Sequence, residues 1–203
     1  ELEKKRIPDV SRDLTLVGLF PGSREREVRK ILPIMLAAGA ILRGKHPNLR
    51  FAIPAASEKL LVLIRQMAAD FPNCEVVLRN AYPLMQTCGA GLVASGTATL
   101  EAALFKRPMV IAYNMHPISW LIMRGKRLQP WVGLPNILCG EFVVPELLQN
   151  DATPQALADA VLAWFATPEK ITALEQRFTR LHIDLQRDTA QLATDAIEKV
   201  IQS

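Results

Sequence analysis

Two short segments carry residue types suited to holding an anion. Phe20-Pro21-Gly22-Ser23-Arg24 joins an apolar run to a helical pattern, and Ser95-Gly96-Thr97-Ala98-Thr99-Leu100-Glu101 does the same further along. Where a strand hands over to a helix, the first backbone N–H groups lack intrahelical partners and the helix dipole favours negative charge. Gly22 lets a ligand approach the backbone closely, Ser23 supplies a helix N-cap, and Arg24 adds a fixed positive charge. Gly96 and Thr97 offer amides to a phosphate, and Glu101, about one turn later, offers a carboxylate to two ribose hydroxyls. Both segments also read as ordinary capped turns, with Arg24 solvated and Glu101 complementing the dipole for ~0.3–1 kcal/mol. Two such turns at the carboxyl ends of strands in one parallel sheet lie where open α/β folds bind ligands, and together they point to a nucleoside diphosphate.

Other chemistries lack their residues. No G-x-x-x-x-G-K-[ST] loop and no G-x-S-x-G elbow is present. His46, His116 and His182 are scattered without metal-ligand spacing, so no metal site is expected. Gly89-Ala90-Gly91-Leu92-Val93-Ala94 matches G-x-G-x-x-A, but it runs into a strand instead of following one, which rejects it as a dinucleotide fingerprint. In the stretch Ile118–Trp131, Trp120 and Trp131 interleave with Arg124, Lys126 and Arg127. That pattern suits an anionic membrane interface or, equally, core packing with solvated basic residues.

The elements that must position these turns alternate. Leu14–Phe20, Phe51–Ile53, Glu75–Leu78, Gly91–Ala94 and Pro108–Tyr113 read as strands, the second closed by Pro54. Helical patterns run from Val28 through Ile41, with Pro33 predicting a kink or restart, from Ser57 as a cap, and from Thr97 to about Phe105. After Tyr113 the alternation stops. Thr153-Pro154 and Thr167-Pro168 mark two further helix starts, and the remainder is helical. Strands alternating with helices imply an α/β class with a parallel, Rossmann-like sheet and a helical C-terminal extension. We divide the chain into a charged linker or tail over 1–13, the sheet domain over 14–166 and the extension over 167–203.

The 203 residues, 50% of them hydrophobic, suffice for a packed core and exclude disorder. Three cysteines, Cys74, Cys88 and Cys139, without C-x-x-C spacing favour a reducing cytoplasm over a disulfide framework. Apolar runs such as Leu60–Ile64 and Ile118–Met123 fall far short of the ~18 residues that would suggest a membrane span. The net charge of +4 admits an anionic ligand, membrane surface or nucleic acid and selects none of them. Nucleic acid is the weakest of the three, because no aromatic stacking motif accompanies the basic residues.

Pro21-Gly22-Ser23-Arg24 with Glu27-Val28, then Ser95-Gly96-Thr97-Ala98-Thr99-Leu100-Glu101, then Leu134-Pro135-Asn136 resemble the lipid-A-disaccharide synthase family. The second element alone is loosely shared with other GT-B glycosyltransferases and UDP-sugar epimerases; all three in this order are far more specific. The likeness runs from about residue 15 onward and covers only the carboxyl-terminal half of that enzyme. It implies the donor-nucleotide domain of a GT-B glycosyltransferase, an inverting enzyme. The reaction moves 2,3-diacylglucosamine from its UDP derivative to 2,3-diacylglucosamine 1-phosphate (lipid X), forming a β-1,6 bond. By that resemblance Gly22, Ser23 and Arg24 lie against the diphosphate or donor sugar. Ser95, Gly96 and Thr97 hold phosphate, Glu101 holds the ribose, and Asn136 lines the cleft near the reacting groups. Arg24, Glu101 and Asn136 are the residues expected to matter most for activity.

No metal or other cofactor is expected, the UDP-sugar being a substrate. The general base is expected from an absent N-terminal domain, leaving the isolated chain able to bind UDP weakly and to turn over nothing. Acylated substrates imply peripheral attachment to the cytoplasmic face of the inner membrane through Trp120, Arg124, Lys126, Arg127 and Trp131, with a homodimer possible. The competing readings are a UDP-N-acetylglucosamine 2-epimerase-like enzyme and a non-catalytic module that binds UDP-sugar or lipid.

Overall fold

A computed structural model describes residues 12–114, 129–186, 194 and 197–201. Six strands, β1 (Asp13–Phe20), β2 (Arg50–Ala55), β3 (Cys74–Leu78), β4 (Cys88–Ala94), β5 (Met109–Tyr113) and β6 (Glu146–Leu148), form one sheet in the order β3-β2-β1-β4-β5-β6. Every neighbouring pair is parallel. The helices are α1 (Glu25–Lys45), α2 (Glu58–Met67), α3 (Ala81–Thr87), α4 (Thr97–Leu104), α5 (Leu134–Cys139), α6 (Pro154–Phe165) and α7 (Pro168–Leu185).

The order explains where a ligand can sit. From β1 the chain steps outward through β2 to β3, then returns to β4 on the other side of β1 and steps the opposite way. Right-handed crossovers in opposite directions put their helices on opposite faces. Accordingly α1 packs with α2 and α6, while α3 packs with α4. The carboxyl ends of β1 and β4, where the direction reverses, diverge into a crevice. Strand centres such as Val17, Leu19, Ile53, Leu92 and Ile111 are fully buried, as a sheet covered on both faces requires. Ile171, Leu174 and Phe178 of α7 join this same core.

Several boundaries differ from those read in the sequence. Pro33 neither ends nor restarts α1, which is one helix of 21 residues. Pro33 lies on its exposed side, where the carbonyl left without a donor faces water. β2 continues through Pro54, which pairs in register with Val77. The β1–β2 register ends at Ala52, so Pro54 interrupts no ladder on that side. Strand β6 and helices α3 and α5 fill stretches that show no clear period. At three, seven and six residues they are too short for periodicity to display itself. The caps at Ser57 and Thr153 are present, each side chain accepting from the backbone N–H three residues on (Leu60 and Ala156). Gly89–Ala94 lies inside β4, as a rejected fingerprint should.

Candidate functional site

A cavity of about 410 Å³ opens at the carboxyl ends of β1 to β4. Its wall includes Gly22, Ser23, Arg24, Ser95, Gly96, Thr97 and Glu101, so the two turns picked out in the sequence meet in one place. They lie 71 to 79 residues apart along the chain, and the pairing of Leu19 with Leu92 and of Phe20 with Val93 joins them.

At the first turn Gly22 has φ +104, and a Cβ there would stand 2.6 Å from an Oε of Glu27. Only glycine fits without displacing that carboxylate. The N-cap of α1 is Arg24, one residue later than the expected Ser23, and it makes no side-chain cap bond. The carbonyl of Arg24 accepts from the backbone N–H groups of Glu27 and Val28, both at 3.0 Å, and this defines where the helix begins. Arg24 also reaches Glu27 through its guanidinium at 3.0 Å. Both side chains are well exposed, so the pair is weak and open to exchange for a stronger anion.

At the second turn the roles divide. The Ser95 N–H donates to Ala112 O at 3.0 Å within the sheet, leaving its hydroxyl as the group free to face a ligand. Gly96 points at open space, with nothing within 4 Å of where a Cβ would be. Thr99, fully buried, clamps the turn: its hydroxyl and its N–H both donate to Gly96 O, at 2.7 and 3.1 Å. Glu101 is half-buried in the wall, and burial pushes its carboxyl above the ordinary carboxylate range.

Asn136 stands elsewhere. It is completely buried and is not among the residues lining the cavity. Its Nδ2 donates to Val144 O at 2.9 Å and to Glu146 Oε1 at 2.8 Å. Its Oδ1 accepts from the N–H groups of Val143 and Val144 at 2.8 and 3.0 Å. Every hydrogen-bonding position of the amide is thus used inside the protein. Glu146 extends the network, accepting from the Val132 and Gly133 N–H groups at 2.8 Å each. A Cβ at Gly133 would fall 2.3 Å from Ile111 and 2.9 Å from Glu146, so only glycine lets the loop approach β5 and β6 this closely. The leucine-proline-asparagine element is therefore a clamp between two ends of a loop.

The cavity also has walls that sequence reasoning passed over. Arg79, Ala81 and Met85 close it on the α3 side. Nothing local to Leu78-Arg79-Asn80 signals this, because the sheet order alone brings the end of β3 to the site. Trp120, Arg124, Lys126 and Arg127 lie outside the described residues, and Trp131 is half-buried. No three His, Cys, Asp or Glu side chains gather into a metal-binding group among the described residues. Among those residues no helix is long and apolar enough to cross a membrane.

Comparison with known proteins agrees with this architecture. Solved structures that superpose on the chain include a UDP-GlcNAc 2-epimerase from Neisseria meningitidis bound to UDP-GlcNAc (TM-score 0.58, 13% identity, 94% of this chain and 45% of that one). A second is the C-terminal CMP-Kdo binding domain of WaaA from Acinetobacter baumannii (TM-score 0.54, 14% identity, 86% and 90%). The pneumococcal O-GlcNAc transferase GtfA is a third (TM-score 0.52, 14% identity, 93% and 36%). The class is thus the Rossmann-like α/β fold that GT-B glycosyltransferases share with UDP-sugar epimerases. A family model for lipid-A-disaccharide synthetase matches residues 1–201. The lipid-A-disaccharide synthase of Albidiferax ferrireducens is 49% identical over 193 residues, covering 92% of this chain and 50% of its own length. That of Azoarcus is 42% identical over 199 residues, covering 96% and 51%. The chain belongs to the lipid-A-disaccharide synthase family. It spans about half the length of the curated relatives it matches.

Proposed function

We propose that this chain is the donor-nucleotide half of a lipid-A-disaccharide synthase, binding a UDP-linked diacylglucosamine for inverting transfer to a diacylglucosamine 1-phosphate. The observation that carries this reading is the meeting of both turns and Glu101 in one cavity. The helix N-termini of α1 and α4 face the diphosphate, with Arg24 released from Glu27 to join it. Departing UDP gains negative charge, and preorganised amides with a guanidinium stabilise that charge without a metal. Ionised Glu101 accepts two ribose hydroxyls. The Ser95 hydroxyl and the Gly96 and Thr97 amides cradle phosphate. Asn136 serves by fixing the loop from Val132 to Val144 beside β5 and β6, supporting the cleft without lining it.

The general base, in this reading, belongs to the half of the relatives that this chain does not match. The enzyme then works peripherally on the cytoplasmic membrane face, where its acylated substrates lie.

Titrating the chain with UDP, followed by amide chemical shifts, tests the reading. The wild type is expected to saturate, and Glu101→Gln to bind about tenfold more weakly, the worth of a hydrogen bond to a charged group. Glu101→Gln binding as tightly as wild type would remove the ribose assignment. Failure of the folded wild type to bind would remove the donor-domain reading.

A further inference from the structure

We propose that Arg79 is a base-binding residue whose planar guanidinium covers the base of the bound nucleotide. This rests on the donor-domain reading above. Arg79 immediately follows β3 and lines the cavity with Ala81 and Met85. Its side chain is exposed, and among the described residues it makes no ion pair or hydrogen bond, whereas Arg24 in the same cavity is paired with Glu27. Arg79 is therefore the cation available to a ligand without first breaking a contact.

Position decides which part of the ligand it meets. β3 lies two strands from β1, about 10 Å at the usual strand spacing, so the residue is displaced from the turn after β1. Helix α3 lies against α4, with the Tyr82 and Phe105 ring centroids 5.9 Å apart, which brings the start of α3 to the Glu101 side of the cavity. A nucleotide with its diphosphate on the two turns and its ribose at Glu101 then extends toward Ala81 and Met85. These are apolar walls, suited to a flat heterocycle and poor for a polyhydroxylated sugar. A guanidinium at the rim of such a slot stacks on the ring face, which a lysine ammonium does far less well.

The backbone supports the assignment. Arg79 holds φ +50, a left-handed conformation disfavoured for any residue with a Cβ, and is fixed there by its N–H donating to Ala55 O at 2.8 Å. Glycine would be the easier residue for this turn, so Arg79→Gly removes the guanidinium without endangering the fold.

The test titrates wild type, Arg79→Gly and Arg79→Lys with UDP and with uridine, by amide shifts, and records each melting temperature. Both variants are expected to weaken UDP and uridine by the same factor, about 3–10-fold for loss of a cation–π contact, with Arg79→Gly melting no lower than wild type. Unchanged affinity in Arg79→Gly overturns the proposal. So does a loss confined to UDP, or full rescue by Arg79→Lys, since either makes Arg79 a phosphate contact. A wild type that binds neither ligand overturns the donor-domain reading and the proposal with it. If the wild type binds and Arg79→Gly binds equally, only the Arg79 assignment falls.

Discussion

Asn136→Ala separates a structural asparagine from one that touches substrate. The amide makes four hydrogen bonds, two donated and two accepted, and one of them runs to the Glu146 carboxylate. Truncation leaves the Val144 N–H and C=O unpaired in a residue with no solvent exposure, and removes a donor from Glu146. A neutral hydrogen bond is worth about 1 kcal/mol net, one to a charged group about 1.5–3, and stranded buried groups add to the loss, so we expect destabilisation of about 4 kcal/mol. A domain of this size loses about 2–4 °C per kcal/mol, which converts to a fall in melting temperature of about 8–16 °C. Differential scanning calorimetry measures this directly. Asn136→Asp supplies the control: it keeps acceptors for Val143 and Val144 but sets a second carboxylate against Glu146. It should therefore be destabilised at neutral pH and partly recover as one carboxyl protonates in acid. An Asn136→Ala chain that melts within about 2 °C of wild type would refute the reasoning and return Asn136 to the reacting groups.

Two further outcomes follow from single contacts. Gly22→Ala must place a Cβ 2.6 Å from Glu27 and hold φ +104, so it is expected to lose about 1–3 kcal/mol of stability together with UDP affinity; retention of both by thermal melting and titration would show that the turn relaxes freely. Lys106 is buried, donates to Leu104 O at 2.6 Å and meets His182 Nδ1 at 2.7 Å, and burial beside Arg107 lowers its pKa from 10.5 to about 8. Above pH 8 the folded state releases this proton while the unfolded chain keeps it, so stability rises from pH 8 to 9. Beyond pH 9 the thiols of Cys74 and Cys88, which burial pushes up to about 11, retain protons that the unfolded chain loses, and stability falls. Urea midpoints across pH 7–10 should show the rise in wild type and not in Lys106→Met; the same rise in both would exclude Lys106 as its source.

Much of the molecule is written in neighbouring residues. Strand-length apolar runs, Ser57 and Thr153 as caps, and the two glycine-bearing turns depend on interactions spanning a few positions, so they could be read in order along the chain. The parallel alternation likewise implied crossovers and hence a crevice at the carboxyl ends of the strands. Three things needed the tertiary structure. The register of β1 on β4 decided that residues 22–24 and 95–101 share a wall, and that of β4 on β5 decided that the Ser95 N–H is spent on Ala112. The placement of β3 at the sheet's edge, with α3 returning toward α4, decided that Arg79 arrives at the same cavity. The approach of β6 to β5 decided that Asn136 is enclosed by Val143, Val144 and Glu146 and is not part of the cavity wall. Local chemistry is fixed by adjacent residues, whereas a side chain's direction and partners follow from which strands pair, and no single segment encodes that pairing.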